Sequence, residues 1–481
     1  MSTNKNLTNS LKIMDSSSSG GYEKISNIPH FSALGAFNVI WFFIFLGFFI
    51  LLLGLPYVFL HMSTAAMITV FVISFLPFIL NLYKLVLSSI RIAAYIEDVV
   101  DFTHLDLPVY TVLVPLYGEN EITINNLLQA LQAINYDSEK LDVKLIVEEN
   151  DNTTIELINK CQLPSYMNML MVPNSDITTK PRACNYGLEF ATGEFLTIYD
   201  AEDSPEPNQL LKAVHAFREN TDDVVCVQAR LSFYNINDNW ITKLFTLEYI
   251  LWFKYILPVL SNLGLAIPLG GTSNHFKTKF LKFIGGWDAY NVTEDAALGV
   301  LIHLLGYKVK MFDSYTLEEA NCQFINWIKQ RTRWIKGHMQ TYLVYMRSPS
   351  YIYKQLGFWQ FCHFQIVMGG GAFVNLSYIL SMFVTFLLLF FKSYFIAESI
   401  FTHDAFLIML TISVLFQVLN LITLSIIIIR ERLFKLIPIP FLMPVYYFMM
   451  SLAAYRAIYQ LIFKPSYWDK TAHGISKIFK K

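Results

Sequence analysis

The 481-residue chain has few charged residues. They make up 15% of the sequence, against about 25% in an average soluble protein, whereas hydrophobic residues make up 54%. A chain this apolar is not disordered as a whole, because disorder requires low hydrophobicity and high net charge. The composition therefore predicts a folded core together with segments that meet a membrane.

The sequence also lacks an excess of either charge, and it lacks paired cysteines. Lys and Arg number 36 and Asp and Glu number 37, so the formal net charge is -1. No global positive field attracts nucleic acid, which we exclude as a partner. The five cysteines form no CxxC pair, which argues against a disulfide framework or a zinc site and fits a reducing compartment.

Long apolar stretches lie towards both ends of the chain. A helix needs about 20 apolar residues to cross a bilayer, and residues 34–60 and 65–90 satisfy this condition. Residues 357–396, 403–429 and 436–463 are similar, although prolines near residue 440 favour a kinked or re-entrant last element. We predict a disordered tail over 1–33, two transmembrane helices over 34–90, a globular domain over 101–346, transmembrane or interfacial helices over 357–463, and a basic tail over 464–481.

The distribution of Lys and Arg predicts which side of the membrane holds the globular domain. Lys5, Lys12 and Lys24 precede the first span and Arg91 follows the second, whereas residues 61–64 between the spans carry neither residue type. Because positive loops stay in the cytoplasm, we expect an integral protein of the cell (inner or plasma) membrane whose globular domain is cytoplasmic. The basic tail is expected on the same side.

Residues 240–263 combine apolar and aromatic residues with Lys243, Glu248 and Lys254. This segment has too much charge for a span, and its composition predicts a helix that lies along the membrane surface. Such a helix would seat the globular domain on the bilayer.

The globular domain alternates short β-rich runs with amphipathic helix patterns. Residues 109–115 form one such run, and a helix pattern follows over 122–134. Similar runs occupy 143–147, 168–172, 195–199 and 224–227. This alternation predicts an α/β domain with a mainly parallel sheet covered by helices. Ligands of such sheets bind beyond the carboxyl ends of the strands.

Acidic residues follow two of these runs, at positions 148–151 and 200–203. Asp200, Glu202 and Asp203 repel one another unless a positive partner neutralises them. A hard divalent cation that bridges a pyrophosphate is a common solution. The alternative is a solvated acidic turn, and other motifs must decide between the two.

Five motifs carry a resemblance to a known family. They are Val114–Glu119 (VPLYGE), Lys180–Gly187 (KPRACNYG, similar to KxxALNxG), Asp200–Asp203 (DAED, at the position of a DxD motif), Thr293–Asp295 (TED) and Gln330–Trp334 (QRTRW, similar to Q(Q/R)xRW). In this order they resemble glycosyltransferase family 2, of the membrane-embedded processive type that includes cellulose, chitin and hyaluronan synthases. The resemblance implies a GT-A-like nucleotide-sugar-binding α/β domain inserted between transmembrane helices.

The resemblance also implies roles for the donor side of the site. Nucleotide-sugar binding falls to Pro115, Tyr117, Glu119, Asp151, Lys180 and Asp200, with Lys180 near the diphosphate. The cofactor implied is Mg²⁺ or Mn²⁺, held by Asp200, Glu202 and Asp203. Because glutamate occupies the third position of the DxD motif, either Glu202 or Asp203 is the residue that reaches the metal.

On the acceptor side, Asp295 is the implied general base, with Glu294 beside it. A sugar hydroxyl needs such a group, because it attacks only as its proton leaves. Thr293 and the acidic residues after it also suit a helix N-terminus, and both interpretations hold together.

Contacts with the acceptor and the diphosphate are implied for Gln330, Arg331, Arg333, Trp334, Gly271 and Thr272. Arg333 is expected to pair with the diphosphate and Trp334 to stack on an acceptor sugar. The alternative for this helix is an anchor at the lipid interface.

His275, close to Gly271, belongs either to the same pocket or to the core. Residues 468–474 resemble a WxxT-type element that membrane synthases place near the active site.

The function implied is inverting, metal-dependent transfer of a sugar from a UDP-sugar to a growing β-linked polysaccharide, coupled to translocation. The partners would be the UDP-sugar, a glycan or lipid acceptor and membrane lipid. One alternative is a single transfer to a lipid acceptor. Another is a transporter with a regulatory cytoplasmic domain, but the clear spans lack the acidic residues that a transporter would carry.

Overall fold

The computed structural model describes residues 32–33, 77–91, 105–390, 400–465, 467, 469, 474 and 476. The first predicted span lies outside the described residues, as do residues 65–76 of the second span and the predicted tail up to residue 31. Most of the predicted C-terminal tail is likewise outside them.

An eight-stranded sheet forms the centre of the globular domain. Its strands are β1 Tyr110–Leu116, β2 Leu141–Glu148, β3 Met167–Val172, β4 Phe195–Ile198, β5 Ser204–Pro205, β6 Val224–Phe233, β7 Asn274–Lys277 and β8 Lys308–Glu318. Their spatial order is β3-β2-β1-β4-β7-β6-β8-β5. The first four are parallel, but β7 runs antiparallel to both β4 and β6. The sheet is therefore mixed: the reversed strand β7 joins the parallel strands β1–β4 to the parallel pair β6 and β8, and the edge strand β5 is antiparallel to β8.

Helices cover the sheet and continue beyond the domain. They are α1 (residues 77–91), α2 Glu121–Gln132, α3 Asn152–Asn159, α4 Lys180–Glu189, α5 Gln209–Glu219, α6 Trp240–Tyr249, α7 Leu257–Asn262, α8 Thr278–Ile284, α9 Glu294–Leu304, α10 Phe324–Tyr345, α11 Pro349–Phe364, α12 Gly371–Phe390, α13 Ile400–Arg430 and α14 Met443–Phe463. Wider π-helical segments, Ile250–Ile256 and Gln365–Gly370, join α6 to α7 and α11 to α12.

Helix α2 shows how the sequence pattern becomes structure. The side chain of Asn120 accepts a hydrogen bond from the Thr123 N–H at 2.9 Å and so caps the helix. Ile124, Leu127 and Leu131 recur every three or four residues, and all three are buried in the core on this side of the sheet. The helix therefore forms where the apolar period predicts it.

Three described helical stretches are long and apolar enough to cross a membrane: Trp240–Asn262, Pro349–Phe383 and Phe434–Phe463. They differ in burial. In Trp240–Asn262, 72% of the most apolar window is buried inside the protein, against 11% in Pro349–Phe383. Leu244, Leu247 and Leu257 of the first stretch belong to the main hydrophobic core. The stretch expected to lie on the membrane surface is therefore largely a core element of the domain.

The chain between α13 and α14 bends where the prolines lie. Two short 3₁₀ turns, Phe434–Leu436 and Ile439–Leu442, separate the helices. Proline cannot continue an α-helix interior, because it lacks an N–H and clashes with the preceding turn. The predicted interruption near residue 440 is thus present.

Candidate active site

One cavity of about 1260 Å³ extends from the carboxyl ends of β1 and β4 to helices α1, α12, α13 and α14. The predicted site residues in its wall are Pro115, Tyr117, Glu119, Lys180, Asp200, Glu202, Gly271, Thr272, Glu294, Asp295, Gln330, Arg331, Arg333 and Trp334. Segments far apart in the sequence therefore meet at one site. Asp151 and Asp203 lie behind the wall.

Asp151 positions the loop that follows β1. Its Oδ2 accepts a hydrogen bond from the Gly118 N–H at 2.5 Å, and its Oδ1 accepts one from the Thr154 N–H at 3.2 Å. Gly118 has a φ of 62°, a conformation that glycine adopts without strain. The loop carries Tyr117 and Glu119 into the cavity wall. In this structure Asp151 thus supports residues predicted to hold the nucleoside, and its own contact with the nucleotide stays a prediction.

Asp203 is buried directly behind the cavity, with 2% of its surface exposed. Its Oδ2 accepts hydrogen bonds from the Asp200 N–H at 2.7 Å and from the Thr272 hydroxyl. Its Oδ1 has no hydrogen-bond partner in the part of the chain that is described. Burial raises the pKa of Asp203 well above its usual range, and the Asp200 and Glu202 carboxylates raise it further. This buried oxygen is therefore available to a cation.

Glu318 is a further carboxyl of this cluster, and the motifs did not single it out. It ends β8 and lines the cavity. Burial raises the pKa of Glu318 well above its usual range, and the charges of Asp203, Glu202 and Asp200 raise it further. The rule that ligands lie beyond strand ends, applied to the β-rich run 308–318, would have found it.

The donor set fits Mg²⁺ or Mn²⁺ bound together with a diphosphate. Among the described residues, no three His, Cys, Asp or Glu side chains are arranged to hold a metal by themselves. Mg²⁺, however, is usually held by one or two carboxylates, with substrate phosphates and water completing its shell. The free Oδ1 of Asp203, beside the carboxylates of Asp200 and Glu202, supplies this partial set.

Lys180 links the acidic cluster to the predicted catalytic carboxyls. Its ammonium lies 2.5 Å from Asp200 Oδ1 and donates to the Gly271 carbonyl at 2.5 Å. Burial alone lowers the pKa of Lys180, but the charges of Asp200, Asp295 and Glu294 outweigh burial and raise it well above its usual range. Lys180 is therefore charged at neutral pH and offers its charge to an anionic ligand.

Asp295 and Glu294 begin α9 and are both buried. Asp295 Oδ1 has no hydrogen-bond partner within the described chain. Burial raises the pKa of Asp295 well above its usual range, and the Glu294 charge raises it further, whereas Lys180 opposes both. Such a carboxyl has a raised pKa and an open oxygen, which are properties that suit a general base.

The start of α9 is held differently from the expectation. Thr293 occupies the N-cap position, but its side chain makes no capping hydrogen bond among the described residues. Instead the Thr293 N–H donates to Asn291 Oδ1 at 3.0 Å, and Asn291 Nδ2 donates to Thr341 Oγ1 at 3.0 Å. Gly337 of α10 packs so closely that a Cβ there would meet Thr293. Helix α10 thus fixes the turn that carries Asp295.

The two arginines of the QRTRW motif differ in their surroundings. Arg331 donates to both carboxylate oxygens of Glu248, one of them at 3.0 Å, and to the Tyr446 hydroxyl at 2.9 Å. These contacts join α10 to α6 and α14. Arg333 instead lies within the electrostatic reach of Glu294, Asp200 and Glu202, whose charges oppose the lowering of its pKa by burial. The geometry therefore favours Arg333 for the diphosphate and gives Arg331 a structural role.

Residues 108–337 match the family model described as "Glycosyltransferase like family 2". This region of the chain is therefore similar to glycosyltransferase family 2 domains. Two curated relatives agree. A probable glycosyltransferase of Sulfolobus acidocaldarius is 24% identical over 263 residues, which is 54% of this chain and 56% of the relative. The probable glycosyltransferase YdaM of Bacillus subtilis is 25% identical over 307 residues, which is 59% of this chain and 70% of the relative. The first match thus spans little more than half of that relative's length.

The fold has a solved counterpart. The mannosyltransferase PcManGT from Pyrobaculum calidifontis, in complex with GDP-Man and Mn²⁺, superimposes with a TM-score of 0.53 at 17% identity. The superposition covers 84% of this chain and 99% of that one. The GT-A-like α/β fold predicted for the glycosyltransferase domain is therefore confirmed. The processive synthase type stays a prediction.

Trp334 and Gln330 are the remaining residues of the QRTRW motif that are predicted to contact the acceptor or the diphosphate. Trp334 is partly buried and stacks on Tyr249, with ring centroids 6.2 Å apart and an interplanar angle of 29°. Gln330 is buried, and its Oε1 accepts a hydrogen bond from Asn321 Nδ2 at 2.9 Å. Both residues still line the cavity, so the part of the Trp334 ring that is not covered faces the cavity.

His275 belongs to the core of the glycosyltransferase domain rather than to the pocket. It is fully buried, with Nδ1 2.7 Å from the Tyr110 hydroxyl and Nε2 3.2 Å from Gln209 Oε1. Burial lowers its pKa to about 3. The structure thus supports the core alternative for this residue.

The described tail residues contact both α14, which carries Arg456, and the glycosyltransferase domain. Asp469 pairs with Arg456 at 2.6 Å, and the Ser476 hydroxyl donates to Asp238 at 2.8 Å. The N–H groups of Gly474 and Ser476 donate to Glu319, directly after β8. This part of the tail therefore lies near the carboxyl end of β8.

Proposed function

We propose that the protein is a membrane-bound, inverting glycosyltransferase that moves a sugar from a nucleotide-diphosphate donor to an acceptor hydroxyl. One observation supports this most directly: the acidic cluster, the buried Asp295 and the QRTRW helix all border the same cavity. The transporter alternative offers no reason for this convergence. The family of the domain supports transfer as the chemistry.

In the proposed reaction, the acceptor hydroxyl gives its proton to Asp295 as its oxygen bonds to the anomeric carbon. The bond from that carbon to the donor phosphate breaks, and the nucleoside diphosphate leaves with the electron pair. A direct displacement of this kind inverts the anomeric centre and gives a β-glycoside from an α-linked donor. Lys180 and Arg333 supply positive charge where the diphosphate develops negative charge.

A divalent cation would be held by Asp203, together with Asp200 or Glu202. When bound, Mg²⁺ or Mn²⁺ offsets charge on the leaving diphosphate. The buried Thr272 hydroxyl and the Asp200 N–H both point at Asp203 Oδ2, so they keep this carboxylate oriented with its other oxygen unpaired. Of the two residues left open by the sequence, the geometry favours Asp203.

We propose a UDP-sugar as the donor, on the resemblance of residues 114–119 to the nucleoside-binding segment of the processive synthases. The structural counterpart was solved with GDP-Man and Mn²⁺, so a guanosine-linked donor is the alternative to test. The residues that would distinguish the bases lie in the loop that Asp151 holds, which carries Tyr117 and Glu119.

The acceptor is proposed to reach the site from the side of helices α12, α13 and α14. The cavity continues between these helices, where its wall mixes polar and aromatic side chains such as Asn375, Tyr378, Gln417 and Tyr447. Such a wall suits a growing β-linked polysaccharide that passes into the membrane. A lipid-linked acceptor suits it as well, and Lys84 in the same wall favours that second candidate.

The test is incubation of the purified full-length protein with radiolabelled UDP-sugars and GDP-mannose, each with Mg²⁺ or Mn²⁺, followed by sizing of the products. Incorporation that requires a divalent metal and one donor class supports the proposal. Long products indicate polymer synthesis, and products extended by one sugar indicate a lipid acceptor. If the protein neither binds nor consumes any nucleotide sugar, the proposed function is wrong.

A further inference from the structure

Lys84 lies in the cavity wall, in an otherwise uncharged part of α1. It carries the only charge in residues 77–90, and it lines the cavity together with Asn81 and Ser88 of the same helix. The helix is fixed in place because the Tyr83 hydroxyl lies 2.8 Å from His363 Nδ1 and Leu87 is buried in the main core. Lys84 is thus held at the cavity by the packing of α1.

The charge of Lys84 is not neutralised by the described part of the protein. No hydrogen bond or ion pair joins its ammonium to another described residue. The carboxylate that attracts it is that of Glu248, but both oxygens of Glu248 already bind Arg331, and one also accepts from the Tyr446 hydroxyl. Two cations therefore share one carboxylate, which leaves a positive charge at the cavity.

The position of this charge relative to the proposed catalytic site follows from α10. Arg331, Trp334 and His338 are spaced by three and four residues, so they share one face of the helix, and all three line the cavity. The helical rise puts His338 about 6 Å beyond Trp334. Burial, and then the Lys84 charge, lowers the pKa of His338 to about 4. Lys84 thus lies near His338, beyond Trp334, and His338 is neutral at pH 7.

A charge in apolar surroundings is costly unless a partner of opposite charge binds it. The proposed donor diphosphate has its own cations, Lys180 and Arg333, at the other end of the cavity. We propose that Lys84 binds a phosphate of the acceptor, and that the acceptor is a lipid that carries its sugar through a phosphate linkage. This inference rests on the proposed function and names its acceptor class.

A single phosphate fits this wall better than a polyanionic glycan does. Beyond Lys84 the wall contains neutral polar side chains (Asn375, Ser381, Gln417, Asn420 and Thr423) and apolar ones (Trp252, Met382, Phe386, Met443 and Met450). A glycan with a charge on each sugar would place most of its charges against these groups. One phosphate at Lys84, followed by an apolar lipid chain, matches both the charge and the lining.

The chemistry at Asp295 is unchanged by this assignment. A hydroxyl of the acceptor sugar loses its proton to Asp295 and bonds to the anomeric carbon of the donor, and the nucleoside diphosphate leaves. The phosphate that joins the acceptor sugar to its lipid takes no part in bond formation or cleavage. Lys84 is therefore a binding residue for the acceptor and is not a catalytic residue.

The test compares acceptors that differ only in the phosphate. The full-length protein in phospholipid nanodiscs is given the donor that it consumes and one of two acceptors, a prenyl-phosphate-linked sugar or the same sugar as a neutral prenyl glycoside. For Lys84→Met we expect the KM for the phosphorylated acceptor to rise about 10- to 100-fold, the usual strength of a hydrogen bond to a charged group. We expect kcat and the KM for the neutral glycoside to stay within about twofold.

Two further variants make the result specific. Lys84→Arg keeps the charge and is expected to retain most of the affinity for the phosphorylated acceptor. Lys354→Met removes a lysine that is exposed on α11, and it should change neither acceptor's KM. Nucleotide affinity, measured in parallel, should be the same in all variants and reports that each is folded.

The outcomes separate this inference from the proposed function. Equal use of the two acceptors by the wild type, or an equal KM in wild type and Lys84→Met, overturns the inference while transfer itself persists. No transfer to either acceptor and no binding of nucleotide overturns the proposed function. If inorganic phosphate competes with the phosphorylated acceptor as strongly as the prenyl phosphate alone does, and Lys84→Met removes this competition, the site binds free phosphate and the lipid assignment is wrong.

Discussion

The two ends of the cavity are built from different chemistry. At the sheet end, Asp200, Glu202, Asp203 and Glu318 crowd together, and burial and mutual repulsion raise the pKa values of Asp203 and Glu318. At the helical end, the wall between α1, α12, α13 and α14 is neutral apart from Lys84 and the paired Glu248. The carboxylates at the sheet end therefore repel one another until a cation binds between them. The helical end instead offers one positive charge. We infer that the donor and the acceptor are recognised by opposite means.

The largest expected effect is at the sheet end. Asp295→Asn removes the proposed base but keeps its shape, and general bases contribute about 10²- to 10⁴-fold to rates. We expect a fall of that size in kcat, with the nucleotide dissociation constant unchanged. The measurements are radiolabelled sugar transfer and nucleotide titration. Asp106→Asn, at an exposed residue, is the matched control and should behave as wild type. Undiminished transfer by Asp295→Asn would remove Asp295 from the mechanism.

The next effect lies at the junction of the two ends. Arg331→Met leaves Glu248 without its bidentate partner and separates α10 from α6 and α14. Breaking a buried pair costs about 3 kcal/mol, at the lower end of the usual range because Glu248 is partly exposed. We expect the free energy of unfolding to fall by that amount, measured by denaturation in detergent.

The neighbouring arginine provides the contrast. Arg333→Met should weaken nucleotide binding with a smaller change in stability, because the charges around Arg333 are those of the proposed donor site. Equal losses of stability in the two variants, with equal nucleotide affinities, would contradict the division of roles between them.

The sequence motifs predict the sheet end far better than the helical end. Lys180, Asp200, Asp295 and Arg333 lie in short motifs, and the structure brings them to one cavity. A motif is local, however, so it does not reveal partners that are distant in the chain. Glu248 and Arg331 are separated by 83 residues and Tyr446 and Glu248 by 198. The structural role of Arg331 therefore became visible only in the fold.

The same limitation explains why the burial of segment 240–263 was not predicted. Its charged residues led to the prediction of a helix on the membrane surface. In the fold, Lys254 lies 2.6 Å from Glu431, and Glu248 pairs with Arg331. These ion pairs satisfy Glu248 and Lys254, and the apolar faces of Trp240–Asn262 pack into the core, whereas the third charged residue, Lys243, is only partly buried. The stretch is buried because Glu248 and Lys254 find partners that are distant in the sequence, and a local pattern does not reveal such partners.

A pH effect is expected behind the sheet end. The pKa of His275 is about 3 in the fold, against 6.5 when exposed. Its stabilising contribution is present above pH 6.5 and is lost as the pH falls towards 3, because only the unfolded state takes up the proton. At pH 5 we expect the free energy of unfolding to be lower by about 2 kcal/mol from this residue.

This expectation is checked by unfolding the wild type and His275→Gln between pH 7.5 and pH 5. The variant should be less stable at pH 7.5, since it alters contacts with Tyr110 and Gln209, but its stability should fall less steeply with acid. Parallel slopes for the two proteins would mean that other groups cause the acid sensitivity.

The smallest effect is expected at the helical end. Asn420 Nδ2 donates to the Tyr447 hydroxyl at 2.8 Å in the cavity wall. Asn420→Ala removes one neutral hydrogen bond, worth about 1 kcal/mol. We expect a loss of unfolding free energy of about that size and an acceptor KM changed by about tenfold or less, with nucleotide affinity unchanged. If nucleotide affinity falls together with acceptor affinity, the two ends do not recognise separate ligands. If the acceptor KM changes while nucleotide affinity does not, the neutral wall binds the acceptor through many weak contacts. The charge of Lys84 then dominates the choice of acceptor.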